Sequence, residues 1–506
     1  MSKLFTLKLL RPNNDALIAA FVGGLLVLLL TKHSGLGISP DSIYYLSTAD
    51  SIIAGKGFYQ FDGMPFVMFP VGYPILLSLI KLIVGGSFLK VIPFFNALLF
   101  GTTIFIAGII LENTNHSKWL KWVVLFVIAL SPSLLEIYTM LWSETLFITE
   151  IVLFIYFGKI YFEKYSLKSL VVIAVIAAIA ADTRLAGVAV IATGGLLILM
   201  SPELKWGRKI QHELIYGSIS ISLFVMNLIR NALLTQTLTG NRQKGVTPFL
   251  ENLKYYGFVL TNWLPFSKWA SLMPTTIAFL FLSILIFVFL VRFLKSKEQH
   301  HYEKLAVAFT LIYSIFMLTV ATISRFEAIN IRLLAPFYIP CVLTISFYIA
   351  SIFKISKTGI FKVALICVSI LIVITLFFQY SVTDRASYLE NIEGGIGGYS
   401  DDDWFISSGL LNYLNSNPAF FKGDKPIYSN AAHAVYFKTS QSAQILPERK
   451  YAHLVSAFNN KPAQILIWFN NEDNREVLTL QEVANTKKMQ IMCKFNDGVI
   501  YLCTSK

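Results

Sequence analysis

The stretch "SPDSIYYLSTADSIIAGKGFYQFDG" (39–63) opens with a carboxylate, Asp41, followed by Ile43, Leu46, Ala49 and Ile53 at helical spacing and by Ser42, Ser47 and Asp50 on the other face. That pattern predicts an amphipathic helix lying at a membrane interface. Asp41 at its head can serve as the N-cap, accepting hydrogen bonds from free backbone N–H groups. A carboxylate fixed in that way is also well placed to act as a general base. A second acid, Glu144, opens the returning segment of "LSPSLLEIYTMLWSETLFITEIVLF" (130–154), where the helix dipole favours it, and Glu136 competes for the same role. Cations stand at the ends of later apolar runs: Arg184 in "ADTRLAG", Arg230 in "NLIRNALL", Arg242 and Lys244 in "TGNRQKG", Arg325 and Arg332 in "SRFEAINIRLLAPFY". One such arginine alone reads as a side chain snorkelling to lipid phosphate. Several on one face suit a bound phosphate, because guanidinium forks match its oxygens.

The elements that must position these groups are membrane helices. Of the 506 residues, 55% are apolar and 14% charged, well below the quarter charged that soluble domains carry. Apolar runs near 15–31, 92–111, 120–136, 143–161, 169–182, 185–200, 212–232, 273–294, 305–323, 332–353 and 360–379 predict eleven spans. The formal charge of +13 is divided among short basic connections, which argues for topology rather than nucleic-acid binding. Lys3, Lys8 and Arg11, then Lys118 and Lys121, Lys164 and Lys168, Lys205, Arg208 and Lys209, Arg292 to Lys304, and Lys354 to Lys362 all fall on one side. The positive-inside rule makes that side the cytoplasm and places a long first loop (32–91) and the C-terminus outside an inner, cytoplasmic membrane. The run "VMFPVGYPILLSLIKLIVGG" (67–86) carries Pro70, Pro74 and Lys81, so it is expected as an interfacial helix rather than a twelfth span. The basic N-terminus has no small-residue cleavage site and is read as leading into a retained first span.

From about residue 381 the composition becomes that of a soluble domain. "DDDWFISSGLLNYLNSN" reads as a helix, "KPIYSN" as a strand, "AAHAVYFKT" as a helix, "AQILIWF" as a strand, "REVLTLQEVANTK" as a helix and "KMQIMCKFNDGVIYLC" as a hairpin. This alternation predicts a small α/β domain over 381–506 beside a membrane module over 1–380. Cys493 and Cys503 flank "NDG" and pair only if the hairpin register brings them together, while Cys341 and Cys367 lie in spans. "DDD" (401–403) reads as a helix-start cluster. His433 and His453 lack metal-ligand spacing, and His300–His301 reads as a solvated pair in a basic loop.

Taken in order, Asp41, Tyr44, Ala49, Gly55, Gly57, Pro70, Gly72, Tyr73 and Pro74 after a first span resemble the membrane-embedded glycosyltransferases of the C superfamily (GT-C, family-39-like). That group includes the protein O-mannosyltransferases and the lipid A aminoarabinose transferases, and the resemblance covers roughly residues 10–380. It implies a polytopic α-helical fold and an inverting enzyme moving a sugar from a polyprenyl-phosphate donor to a hydroxyl of a lipid, glycan or protein acceptor on the outer face. In that scheme Asp41 is the base, Glu144 sits beside it, and Arg332 best matches the family's phosphate contact. Arg230, Arg184 and Arg325 are further phosphate candidates, and Tyr44, Tyr45 and Tyr73 shape the loop or meet the acceptor. The resemblance implies no cofactor where arginines neutralise the phosphate. Relatives with lipid-pyrophosphate donors use a divalent cation, which keeps a metal open although no Asp-x-Asp pair stands beside Asp41. A transporter or flippase of lipid-linked sugars, and a glycan polymerase or ligase, are the alternative readings.

Overall fold

The computed structural model describes residues 13–114, 117–240, 242–265, 267–294, 301–324, 327–355, 359–393, 396, 399, 403–470 and 476–506. Sixteen helices come first: α1 (Asn14–Leu30), α2 (Pro40–Ile53), α3 (Gly72–Val84), α4 (Phe88–Glu112), α5 (Lys118–Ala129), α6 (Pro132–Tyr138), α7 (Glu144–Lys164), α8 (Leu167–Thr183), α9 (Val188–Met200), α10 (Trp206–Thr235), α11 (Phe249–Trp263), α12 (Ser267–Ala270), α13 (Pro274–Leu294), α14 (His301–Ile323), α15 (Ile331–Ile355) and α16 (Gly359–Glu393). The C-terminal region follows with α17 (Asp403–Ser407), α18 (Gly409–Ser416), β1 (Ile427–Ser429), α19 (Ala432–Thr439), β2 (Gln444–Ile445), α20 (Ala452–Asn459), β3 (Ala463–Phe469), α21 (Leu480–Thr486), β4 (Lys487–Lys494) and β5 (Gly498–Ser505). Contacts divide the chain into two compact units. One takes in the chain up to Lys32, Val67–Tyr73 and Leu89–Leu389, and the other His33–Phe66, Pro74–Phe88 and Glu390–Lys506.

The first unit is a polytopic helical membrane module. Among the described residues seven helical stretches are long and apolar enough to cross a bilayer, or eight if the bent pair α5 and α6 forms one span. That pair turns by 49° at Leu130–Ser131, where Pro132 takes the first helical position of α6, a site at which a missing N–H costs nothing. The helices α1 and α9 are apolar but short, 17 and 13 residues, and α3, the turn after it and α4 run as one stretch of 41 residues. At 1.5 Å per residue such a stretch is about 60 Å long, twice the hydrocarbon core, so it exceeds a single crossing. The spans of α7, α14 and α15 are mostly buried, whereas those of α10, α13 and α16 are largely exposed, as expected of an inner ring and a lipid-facing rim. One helix was not foreseen: α11 lies in the expected loop 233–272 and packs against α13. Its Gly257 permits the approach, since a Cβ there would come within 1.9 Å of the Pro274 carbonyl oxygen.

At the ends of α1, α4 and α5 a single buried lysine holds three elements. Lys121, 1% exposed, places its Nζ 2.8 Å from Asp15 Oδ1, 2.8 Å from Glu112 Oε2 and 3.3 Å from Asn13 Oδ1. Farther along, Arg292 of α13 donates to Glu303 at 2.6 Å and to the Tyr348 hydroxyl at 2.9 Å, linking α13, α14 and α15. His301 was expected in solvent but begins α14 at 6% exposure, its ring 6.2 Å from that of Phe162. The helix starts earlier than its apolar run suggested and draws the imidazole in with it.

The second unit joins the first loop to the C-terminal α/β region. Five strands run in the order β2-β1-β3-β5-β4, parallel for β2, β1 and β3 and antiparallel for β5 and β4. Tyr428, Leu446, Phe458, Leu466, Val477 and Val483 form a core on one side of it. In the hairpin Cys493 stands opposite Ile500 and Cys503 opposite Met489, so the two cysteines do not meet and both are free. The helix α2 differs from its amphipathic expectation: Ser42, Ser47 and Thr48 are as buried as Ile43 and Leu46. Within this unit α19 lies against it, and His433 packs edge-on to Tyr44 at 4.9 Å and against Phe61 at 5.0 Å. Burial pushes the His433 imidazole down to about 4.

Two outcomes follow. Replacing both acids, Asp15→Asn with Glu112→Gln, strands the Lys121 charge and should cost about 3–5 kcal/mol, more than Lys121→Met, which removes that charge; denaturation in detergent measures both, and equal losses would contradict the account. The folded chain refuses a proton at His433 that the unfolded chain accepts below pH 6.5, so stability is full above that pH and declines as pH falls toward about 4. His433→Leu should flatten this decline in calorimetric melts, and an unchanged slope would refute it.

Candidate functional site

Three of the residues singled out in the sequence meet at one carboxylate. Glu144 is the first residue of α7 and is fully buried. Arg184 places Nη1 2.5 Å from Glu144 Oε1, and the Nε of Arg332 pairs with the same oxygen. Arg184 Nη1 also donates to Ser143 Oγ at 3.1 Å. The Arg332 guanidinium carbon lies over Trp142, 4.2 Å from the ring centroid, within the range of a cation–π contact.

Local sequence explains each position. The last turn of α8 ends at Thr183, Arg184 is extended, and Leu185–Gly187 forms a 3-10 turn before α9. Gly187 is required there, because a Cβ would lie 2.3 Å from the Ala180 carbonyl oxygen. Asn330 accepts from the Leu333 N–H at 3.1 Å and so begins α15 with Arg332 in its first turn. The Tyr313 hydroxyl donates to the Leu333 carbonyl at 2.8 Å and fixes that turn to α14. On the other side Asn96 of α4 donates to the carbonyls of Tyr138 and Met140 at 2.9 and 3.0 Å, holding the chain that leads into Glu144.

Burying Glu144 costs several kcal/mol of hydration, which only close cations can offset. Arg184 and Arg332 supply that offset at one oxygen, and guanidinium forks of this kind also suit phosphate oxygens. Both arginine side chains keep 15–16% exposure, which leaves them reachable.

A second polar group grows from the same end of α8. Asp182 faces Arg230 and Asn227 of α10, the latter at 3.5 Å, and accepts from the backbone N–H of Val71. Thr183 donates to the buried Glu150 at 2.9 Å. Arg230 donates to Asn231 at 3.1 and 2.5 Å, and Asn231 donates to the carbonyls of Val67 and Leu238 at 3.2 and 2.8 Å. Arg242 reaches the Met68 carbonyl at 3.1 Å. Gly72 sits so near the Asp182 carbonyl that a Cβ would lie 2.7 Å from it, and the adjoining Tyr73 is buried. In this setting Arg230 and Arg242 brace the segment 67–73.

Glu136 is exposed on α6, so Glu144 is the acid brought to the arginines. Arg325 lies outside the described residues, as do His300, Asp401 and Asp402. Asp41 lies in the first turn of α2 but does not cap it: Ser39 accepts from the Ser42 N–H and the Ser42 hydroxyl accepts in return from Ser39, with Pro40 at the first helical position. The carboxylate is thereby released from the capping role the sequence suggested. Tyr44 packs on Phe61 at 5.6 Å, and Tyr45 is buried against Phe66 at 6.2 Å. Among the described residues no three His, Cys, Asp or Glu side chains gather for a metal ion. Sequence reading missed Asp182 and Trp142, although each stands within two residues of an arginine or acid already singled out.

No protein-family profile and no curated protein sequence matches the chain. Solved structures do. ArnT from Cupriavidus metallidurans in its apo state superposes with a TM-score of 0.58 at 12% identity, over 96% of this chain and 97% of that one. The same protein bound to undecaprenyl phosphate gives 0.56 at 12% identity with the same coverage. The mycobacterial arabinofuranosyltransferase AftD gives 0.53 at 12% identity over 97% of this chain and 40% of its own length. Along almost its whole length, the chain shares the fold of ArnT and of AftD.

Proposed function

We propose that the protein is an inverting glycosyltransferase that moves a sugar from a polyprenyl-phosphate carrier to an acceptor hydroxyl on the outer face of the cytoplasmic membrane. The observation that carries this reading is the buried Glu144 held by Arg184 and Arg332, two guanidiniums fixed at one carboxylate. The fold supports it, since ArnT, built the same way, has been solved with undecaprenyl phosphate. A donor with a long hydrocarbon tail stays in the bilayer, so its phosphate must be met by cations at the ends of membrane helices.

In the reaction the acceptor O–H loses its proton to the Asp41 carboxylate as its oxygen attacks the anomeric carbon. The bond from that carbon to the phosphate oxygen breaks, and the electron pair leaves with the phosphate. Positive charge builds on the sugar ring and negative charge on the leaving group, as in glycoside cleavage. Arg332 and Arg184 stabilise the departing phosphate, and Glu144 fixes both guanidiniums in place beforehand, so little reorganisation is needed at the moment of transfer. Attack opposite the leaving group inverts the anomeric centre. Arginine charge takes the part a divalent cation plays with pyrophosphate donors. The same reading has eleven spans, a cytoplasmic N-terminus and the C-terminal domain outside.

Three measurements test this. Mass spectrometry of glycans and lipid-linked sugars from cells with and without the protein should reveal one sugar-bearing product, and Asp41→Asn should reduce it by about 10²–10⁴-fold, the span of a lost general base. Undecaprenyl phosphate should bind the Asp41→Asn protein as it binds the parent, whereas Arg332→Ala should weaken that binding by about tenfold or more; unchanged binding would remove Arg332 as a phosphate contact. A reporter fused after Lys506 should read as external, and a cytoplasmic signal would invert the topology.

A further inference from the structure

The sequence places Asp50 on the polar side of a helix and Lys81 inside an apolar run. In the second unit they meet. Lys81 Nζ of α3 pairs with Asp50 Oδ1 of α2, while the Tyr436 hydroxyl of α19 donates to Asp50 Oδ2 at 3.1 Å. A single carboxylate thus ties together two helices of the first loop and one helix of the C-terminal domain. Tyr436 also stacks on Phe61 at 5.5 Å. Ser442, just past α19, donates to the Phe61 carbonyl, and the Tyr399 N–H donates to the Ile38 carbonyl at 2.9 Å, immediately ahead of α2.

We infer that Asp50 is a positioning residue through which the C-terminal domain holds α2, and with it Asp41, in the working geometry. The inference rests on the reading of Asp41 as base. Asp41 and Asp50 share one helix of 14 residues, so a clamp at Asp50 fixes the axis and rotation of the segment that presents Asp41. Its side chain is 44% exposed, and an ion pair that wet contributes little to global stability. Geometry is another matter: misplacing a reacting group by about 1 Å costs on the order of 10²-fold in rate. Its contribution is therefore expected in catalysis more than in melting. The domain on which Tyr436 sits becomes a working part of the enzyme.

The test uses the full-length protein in nanodiscs, with Tyr436→Phe, Lys81→Met and the conservative Lys81→Arg. Hydrogen exchange of the α2 amides should quicken by about fivefold or more in Tyr436→Phe and Lys81→Met and stay near the parent rate in Lys81→Arg, as expected when a local opening becomes easier. Undecaprenyl phosphate affinity should stay within about twofold in all three, and product measured in cells should fall about tenfold in the first two only. Unchanged exchange in α2 would overturn the clamp. Faster exchange with undiminished product would leave the clamp standing and remove Asp41 as the base.

Discussion

A carboxylate without water needs cations, and the burial of Glu144 is the constraint from which the membrane module follows. Neither Arg184 nor Arg332 alone would compensate it with geometry to spare; together they do, and each must come from a different place in the chain. The start of α7, the turn between α8 and α9 and the start of α15 therefore converge, and their local features serve that convergence. Gly187 allows the sharp turn, Asn330 begins the helix under Arg332, and Tyr313 fastens that helix start to α14. Trp142 adds a cation–π contact to the Arg332 guanidinium. The result is a rigid cationic group, which is what electrostatic catalysis requires of its donors.

The end of α8 acts as a distribution point. Three consecutive side chains, Asp182, Thr183 and Arg184, serve three different partners: the Arg230 and Asn227 group, Glu150, and Glu144. As the chain leaves the helix for an extended residue, successive side chains project in different directions, so a short polar sequence can organise several neighbours. Through Asp182 the same point also fixes Val67–Gly72, with Asn231 and Arg242 holding its carbonyls. Segments that look like loop in one dimension are held by named hydrogen bonds in three.

Much of this was legible beforehand, and the misses have physical causes. Apolar runs marked out eleven expected spans, of which seven or eight helical stretches among the described residues are long and apolar enough to cross a bilayer, and the C-terminal region alternates strand and helix with β2 and α20 added and its first expected helix split into α17 and α18. Glu144, Arg184 and Arg332 were singled out by type and by their position at span ends, yet their pairing with one another was not, since a contact across 188 positions leaves no local trace. Arg230 was grouped with them for the same surface reason and turns out to serve Asp182 and Asn231. The amphipathic reading of α2 failed because a serine is small and can bond to its own helix: Ser47 donates to the Tyr44 carbonyl at 3.1 Å, so a face that looks polar can still be buried. Capping was misassigned by two residues, since Ser39 and Asp41 are equally good caps and only Pro40 at the first helical position distinguishes them. The helix α11 escaped because its charged and aromatic residues dilute a 15-residue apolar stripe.

The lysine at the ends of α1, α4 and α5 bears on how the chain is made. Asp15 emerges from the ribosome 106 residues ahead of Lys121, and Glu112 only nine ahead of it. One ammonium therefore balances two acids that enter the chain far apart, and the ends of α1 and α4 acquire this shared partner only when α5 has been made.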